Sequence, residues 1–199
     1  MDNQILLKAV KALSDGDLIV YPTDTLYGIG ADIFNEKAVK KVFTIKKRSF
    51  DDPLSVAVSS IDEMDKIAYV NNKTRALAKR FLPGELTIIL KKRPVVSNII
   101  TADLDKIAIR IPNHKIALDL ISKFGPITAT SANIHKIGTP GIINDIRMQF
   151  KKDDISVYID AGKLTGKAST IVDMTYDEPK IIREGNVSKK QILDAIKNG

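Results

Sequence analysis

The chain has 199 residues, 44% apolar and 28% charged, with a formal net charge of +7 and a pI near 9.4. That length and composition suit a single domain spanning residues 1–199, and no apolar run approaches the roughly 18–20 residues of a membrane span. With no cysteine and two histidines, disulfides, thiol nucleophiles, thiolate zinc sites and iron–sulfur clusters are excluded and no metal ligand set is expected, while the basic balance favours polyanionic partners.

In chain order, Ile5, Leu6, Ala9, Val10 and Leu13 recur at helical spacing. Lys8 and Lys11 interrupt that helix too often for a signal sequence, so a cytoplasmic protein is expected. Leu18–Tyr21 is a short unbroken apolar run, the pattern of a strand buried on both faces, and Pro22 turns the chain out of the sheet. Thr23, Asp24 and Thr25 then present two hydroxyls and a carboxylate, and Gly28 and Gly30 allow a close backbone approach. Taken alone the segment also reads as a plain turn with a Thr/Asp cap. It nevertheless falls where α/β proteins hold ligands.

A second helix is predicted from Asn35 to about Arg48, with an apolar stripe of Val39, Val42 and Phe43. Continuing the stripe reaches Lys46, which places a lysine on the core-facing side. Lys47 suits the dipole at a helix C-terminus, whereas Lys46 and Arg48 read as a phosphate site.

Ser49–Pro53 is a loop and Leu54–Val58 a strand; Ile61–Ala68 and Asn72–Phe81 are helices, closed by Pro83-Gly84. Glu85–Leu90 is a strand running into Lys91-Lys92-Arg93-Pro94, read as a basic, solvated sheet edge. Lys106–Pro112 alternates strictly: Ile107, Ile109 and Ile111 face one side, Lys106, Ala108 and Arg110 the other. Two cations on one side call for anions or solvent.

His114–Phe124 is a helix that His114 starts in a non-catalytic role. Pro126–Thr130 is a strand feeding Ser131-Ala132-Asn133, a hydroxyl and an amide aimed at one crevice, and the flexible segment IHKIGTPG follows. Asn144–Phe150 is a short helix and Ile155–Asp160 a strand. The stretch AGKLTGKAS is no phosphate loop, because only three residues separate Gly162 from Gly166 and Ala168 stands where Ser or Thr should hold magnesium. Ser169–Asp173 and Lys180–Arg183 are strands, and Ser188 to Gln191 is a capping box opening the last helix. The irregular order predicts an α/β fold, a twisted mixed parallel/antiparallel sheet with flanking helices, rather than a Rossmann domain.

Six stretches, YPTDTLYGIGAD, KKRSFDDPL, FLPGELTIILK, IAIRIP, TSAN and STIVD, resemble the YrdC family in order and spacing, from Leu18 to Arg183. The resemblance implies a deep basic cavity, the single-domain form, and L-threonylcarbamoyladenylate synthase activity. That nucleotidyl transfer joins L-threonine, bicarbonate and ATP, with Mg²⁺, into threonylcarbamoyl-AMP and pyrophosphate, for N6-threonylcarbamoyladenosine (t6A37) in tRNA. The family signature falls on Lys46, Arg48, Ser131 and Asn133, with Lys46 and Arg48 in the catalytic role. Its threonine-binding positions match Thr25, Arg110, Ser169 and the backbone at Ala129; its ATP-binding positions match Lys46, Arg48, Asp52, Lys106, Ser131, Asn133, Thr139 and Arg183. Implied partners are tRNA or double-stranded RNA and a downstream tRNA threonylcarbamoyl transferase, with no membrane.

The chain departs from the family pattern at Asp52, where many relatives have asparagine, and near Ala57, where they have histidine. Chemically the assignment is coherent. Arg110 offers a fork for a carboxylate, Thr25 and Ser169 offer hydroxyls, and Lys46, Arg48 and Arg183 are cations for a triphosphate. No side chain need act as nucleophile, so catalysis would rest on positioning and charge stabilisation. The rival is a non-catalytic double-stranded RNA or tRNA-binding protein, which the charge supports but which lacks an arginine-rich arm and paired exposed aromatics.

Overall fold

The computed structural model describes residues 3–197; residues 1, 2, 198 and 199, the ends of the expected 1–199 span, lie outside the described residues. Helix α1 (Asn3–Ser14) turns Leu6, Ala9, Ala12 and Leu13 inwards. Strand β1 (Ile19–Tyr21) is buried at all three residues, as its apolar run requires, and doubles back as antiparallel β2 (Gly28–Gly30). The sequence reading missed β2. A Cβ at Gly30 would stand 2.9 Å from Ile19, and one at Gly28 3.2 Å from the Tyr21 ring. The glycines make room for β1 side chains, and the same choice erases the strand signal.

Helix α2 (Glu36–Lys46) is capped by Asn35, whose side chain accepts from the Lys37 and Ala38 amides, and ends at Lys47 with φ 51°. After β3 (Ser55–Ala57), α3 (Ile61–Ile67), α4 (Asn72–Phe81) and β4 (Leu86–Lys91) comes a short α5 (Asn98–Thr101) that periodicity does not reveal. Strand β5 (Lys106–Arg110) and α6 (Lys115–Phe124) follow. The predicted strand at 126–130 is divided into β6 (Ile127–Thr128) and β7 (Thr130–Ser131). The chain closes with α7 (Ile143–Arg147), β8 (Val157–Tyr158), β9 (Thr170–Asp173), β10 (Lys180–Arg183) and α8 (Lys189–Lys197). At the start of α8 the Ser188 amide donates to Gln191 Oε1 (2.8 Å) and the Gln191 amide to Ser188 Oγ (3.3 Å), the expected box.

The strands form two sheets, ordered β7-β2-β1-β8 and β10-β9-β4-β5-β3-β6. Both mix parallel and antiparallel pairs, as the sequence predicts. The sheets part inside one short segment: β6 pairs with β3 in the larger sheet and, past Ala129, β7 pairs with β2 in the smaller. Thr128 stitches them, its fully buried hydroxyl donating to the Ile29 carbonyl (2.8 Å) and accepting from the Ala31 amide (3.0 Å). Thr128→Val keeps the shape and orphans both groups, so it should lower stability by about 1–3 kcal/mol in urea unfolding; an unchanged midpoint would discount the stitch.

One expectation is corrected. Strand β4 is flanked by β9 and β5, so the basic run after it guards no free edge. Lys92 donates to the Val96 carbonyl (3.0 Å), while Arg93 bonds Asp65 (2.9 Å) and the Ala68 carbonyl (3.2 Å) and lies over the Tyr69 ring. Alternation in β5 holds: Ile107 and Ile109 enter the main core, and Arg110 emerges on the other face. No helix among the described residues is long and apolar enough to cross a membrane.

Candidate active-site cleft

Both sheets contribute walls to a cavity of about 520 Å³. Arg110 supplies its floor. In register, Ala57 of β3 lies on one side of it, and the β4 pairing of Ile88 with Ile109 sets Thr87 on the other. Only 7% exposed, Arg110 donates from Nη1 to Thr25 Oγ1 (3.0 Å) and from Nη2 to Asp24 Oδ1 (2.6 Å). A guanidinium this buried needs a counter-charge, which gives Asp24 the role that the sequence left unassigned. The pair is one-toothed: Arg110 Nε and Asp24 Oδ2 are both buried with no hydrogen-bond partner among the described residues. Thr23 fixes the turn, its hydroxyl donating to the Leu26 carbonyl (2.6 Å) and meeting Thr25 Oγ1 at 3.0 Å.

Across the floor, Ser169 Oγ meets Thr87 Oγ1 at 2.8 Å, and the Ser169 carbonyl accepts from Arg183 Nε (3.0 Å) and Nη2 (2.8 Å). Burial first, then the like charge of Arg110, lowers the Arg183 pKa. Arg48 completes the cationic wall, held by the carbonyls of Asp52 (3.1 Å) and Pro53 (2.9 Å). Ala129, Ser131 and Thr139 line the same space.

Lys46 does not reach it. Only 1% exposed, its ammonium donates to the carbonyls of Ser131 (2.5 Å) and Asn133 (2.6 Å) and to Asn133 Oδ1 (3.4 Å), which also accepts from Ser131 Oγ (2.5 Å). Burial, then the neighbouring Arg48, pulls its pKa down to about 7. Lys46 and Asn133 therefore form a buckle beneath the turn that presents Ser131. Two further residues stand apart. The Asp52 carboxylate turns to His135 (3.5 Å), and Lys106 pairs with Asp173 (2.8 Å) about 13 Å along β5 from Arg110.

Of the residues named from sequence, Thr25, Arg48, Arg110, Ala129, Ser131, Thr139, Ser169 and Arg183 share the cavity. Tyr21 and Thr87 line it as well and were missed. Thr87 was readable: in ELTIIL, Thr87 and Ile89 alternate with the buried Leu86, Ile88 and Leu90. Tyr21 reads as core, and it is core: its hydroxyl donates to the Thr128 carbonyl (3.1 Å) and burial raises its pKa. A larger hollow of about 630 Å³ beside α3 and α4 carries Arg93 and Asp65, already bonded to one another. The first cavity instead holds the unpartnered Arg110 Nε and two guanidiniums, Arg48 and Arg183, whose hydrogen bonds run to backbone carbonyls, a lining that suits a ligand bearing a carboxylate together with one bearing phosphates.

Residues 11–185 match the family model Sua5_yciO_yrdC, described as telomere recombination. A protein of Methanocaldococcus jannaschii named putative threonylcarbamoyl-AMP synthase is 43% identical over 176 residues, covering 88% of this chain and 83% of its own length. The threonylcarbamoyl-AMP synthase of Pyrococcus abyssi is 38% identical over 187 residues, covering 92% of this chain and 55% of its own. Among solved structures, P. abyssi Sua5 complexed with L-threonine superposes with a TM-score of 0.92 at 36% identity, over 98% of this chain and 58% of that one. E. coli YciO superposes with a TM-score of 0.87 at 27% identity, over 96% and 94%. The chain thus spans little more than half the length of the Pyrococcus protein and most of the length of the other two.

Proposed function

This chain belongs to the Sua5/YciO/YrdC family, and from that premise we propose that it is an L-threonylcarbamoyladenylate synthase: a nucleotidyltransferase making threonylcarbamoyl-AMP for t6A37 of tRNA in the cytoplasm. The observation that carries this reading is one cavity holding the Arg110–Thr25–Ser169 set beside Arg48, Ser131, Thr139 and Arg183. The first set suits an amino acid and the second a nucleotide triphosphate.

Threonine's carboxylate sits on the unpaired donors of Arg110, near the Thr25 hydroxyl. Its amine condenses with bicarbonate, releasing water, to give a carbamate. A carbamate oxygen attacks the α-phosphorus of ATP and the bond to pyrophosphate breaks. Arg48 and Arg183 hold phosphate oxygens as charge builds there, and Mg²⁺ enters with ATP on phosphate and water oxygens. The chemistry asks for alignment of two substrates and asks no side chain for a covalent bond. A downstream transferase then consumes the adenylate at tRNA.

Pyrophosphate release from Mg-ATP, with threonine and bicarbonate each added or withheld, tests the reading, with mass spectrometry of the nucleotide product. Release that needs both, with the mass of threonylcarbamoyl-adenylate, supports it; release indifferent to both in folded protein removes it, and salt-sensitive RNA affinity would then favour the binding-protein rival.

Gly166 offers an independent check. A Cβ there would stand 2.5 Å from the Thr25 carbonyl oxygen and 2.6 Å from its Cα, so the 161–168 segment packs on the backbone of the substrate turn. Gly166→Ala must push that turn or the segment aside. The KM for threonine should rise roughly tenfold to a hundredfold with the fold intact, and an unaltered KM would refute the contact.

A further inference from the structure

We propose that Thr87 is a specificity-determining residue, which together with Ser169 reads the side-chain hydroxyl of the amino-acid substrate; the assignment of that substrate rests on the synthase reading above. The two hydroxyls lie 2.8 Å apart on the cavity wall, on residues only 3% and 5% exposed. A hydroxyl carries one donor and two acceptor sites. Their mutual bond uses one donor and one acceptor, and no other hydrogen bond joins either hydroxyl to the described residues. One proton and several lone pairs therefore remain, facing a space that a ligand can enter. A group that both donates and accepts completes such a pair: an alcohol does, whereas a methyl group leaves the proton unpaired.

Position agrees with chemistry. Thr87 sits in register beside Arg110 on the neighbouring strand, about 4.8 Å away. Neither hydroxyl can turn away cheaply. The Ser169 carbonyl is clamped by two Arg183 donors, and Thr87 is β-branched, with few rotamers in a buried strand. A site of this kind rejects an isostere lacking the hydroxyl far more strongly than one lacking a methyl group. Threonine should accordingly be preferred to valine by more than it is preferred to serine.

The test compares threonine, serine and valine with wild-type protein, Thr87→Val and Thr87→Ser, by calorimetric binding and by kcat/KM for adenylate formation. Thr87→Val, nearly isosteric, should cut the threonine-over-valine ratio by at least about tenfold while leaving the KM for ATP unchanged, and Thr87→Ser should restore most of it. Equal losses for threonine and valine in Thr87→Val would overturn the proposal, since the pair would then be serving the amine or merely the fold. Wild type that binds threonine over valine yet forms no adenylate would remove the synthase reading and leave the hydroxyl reading standing; wild type that binds both alike would remove this one.

Discussion

Arg110→Ala should unfold at markedly lower urea concentration, by roughly 3–5 kcal/mol, and should lose threonine-dependent pyrophosphate release. Both effects follow from one geometry. Arg110 and Asp24 have side chains only 8% and 11% exposed and meet at 2.6 Å, so truncating the arginine strands a carboxylate in a poorly solvated turn. Asp24 Oδ2 has no hydrogen-bond partner among the described residues even in the intact protein, so no second hydrogen bond holds the carboxylate once the arginine is gone. A double variant separates stability from function. Asp24→Asn with Arg110→Met removes both charges at similar volume, and replacing a buried pair by uncharged groups is often close to neutral. It should recover most of the stability and none of the threonine response. Near wild-type stability in Arg110→Ala would mean that the pair is solvated in solution, and recovery of the threonine response in the double variant would remove Arg110 from the substrate site.

The sequence made Arg110 legible because strand periodicity is strict: once Ile107 and Ile109 face the core, Arg110 must face away from it. The same logic, applied to ELTIIL, exposes Thr87, whose polarity is less conspicuous than a charge. What periodicity cannot supply is partnership across distance. Asp24 and Arg110 lie 86 residues apart, and only the fold brings them together. Strand β2 was illegible for the opposite reason, since its glycines serve their neighbours' side chains and carry no pattern themselves. The edge reading of the run after β4 failed similarly: charge density says that residues are solvated or paired, and Arg93 is paired. Lys46 is the instructive intermediate, for its place on the apolar stripe of α2 announced burial, and burial is what removes it from contact with the cavity.

Lys46→Met should cost about 2–4 kcal/mol of transition-state stabilisation, as much as losing a preorganised donor, although the lysine lines no wall of the cavity. Its effect passes through Ser131. Three oxygens converge on the ammonium, two of them backbone carbonyls of the turn, and methionine leaves all three without that donor. Turnover should therefore fall more than threonine affinity does. The protonation state provides a second reading of the same residue. Burial holds the Lys46 pKa near 7 in the folded protein against 10.5 for the free side chain, so between those values the unfolded chain binds a proton that the folded one lacks. Unfolding free energy rises with pH wherever the unfolded state binds more protons. The stability of wild type relative to Lys46→Met should then climb as pH goes from about 7 towards 10.5 and level off above it, measured by urea unfolding of both proteins at each pH. A flat difference across that window would mean that the three oxygens keep the ammonium charged despite its burial, and the buckle would then be a permanent cation rather than one that yields its proton near neutrality.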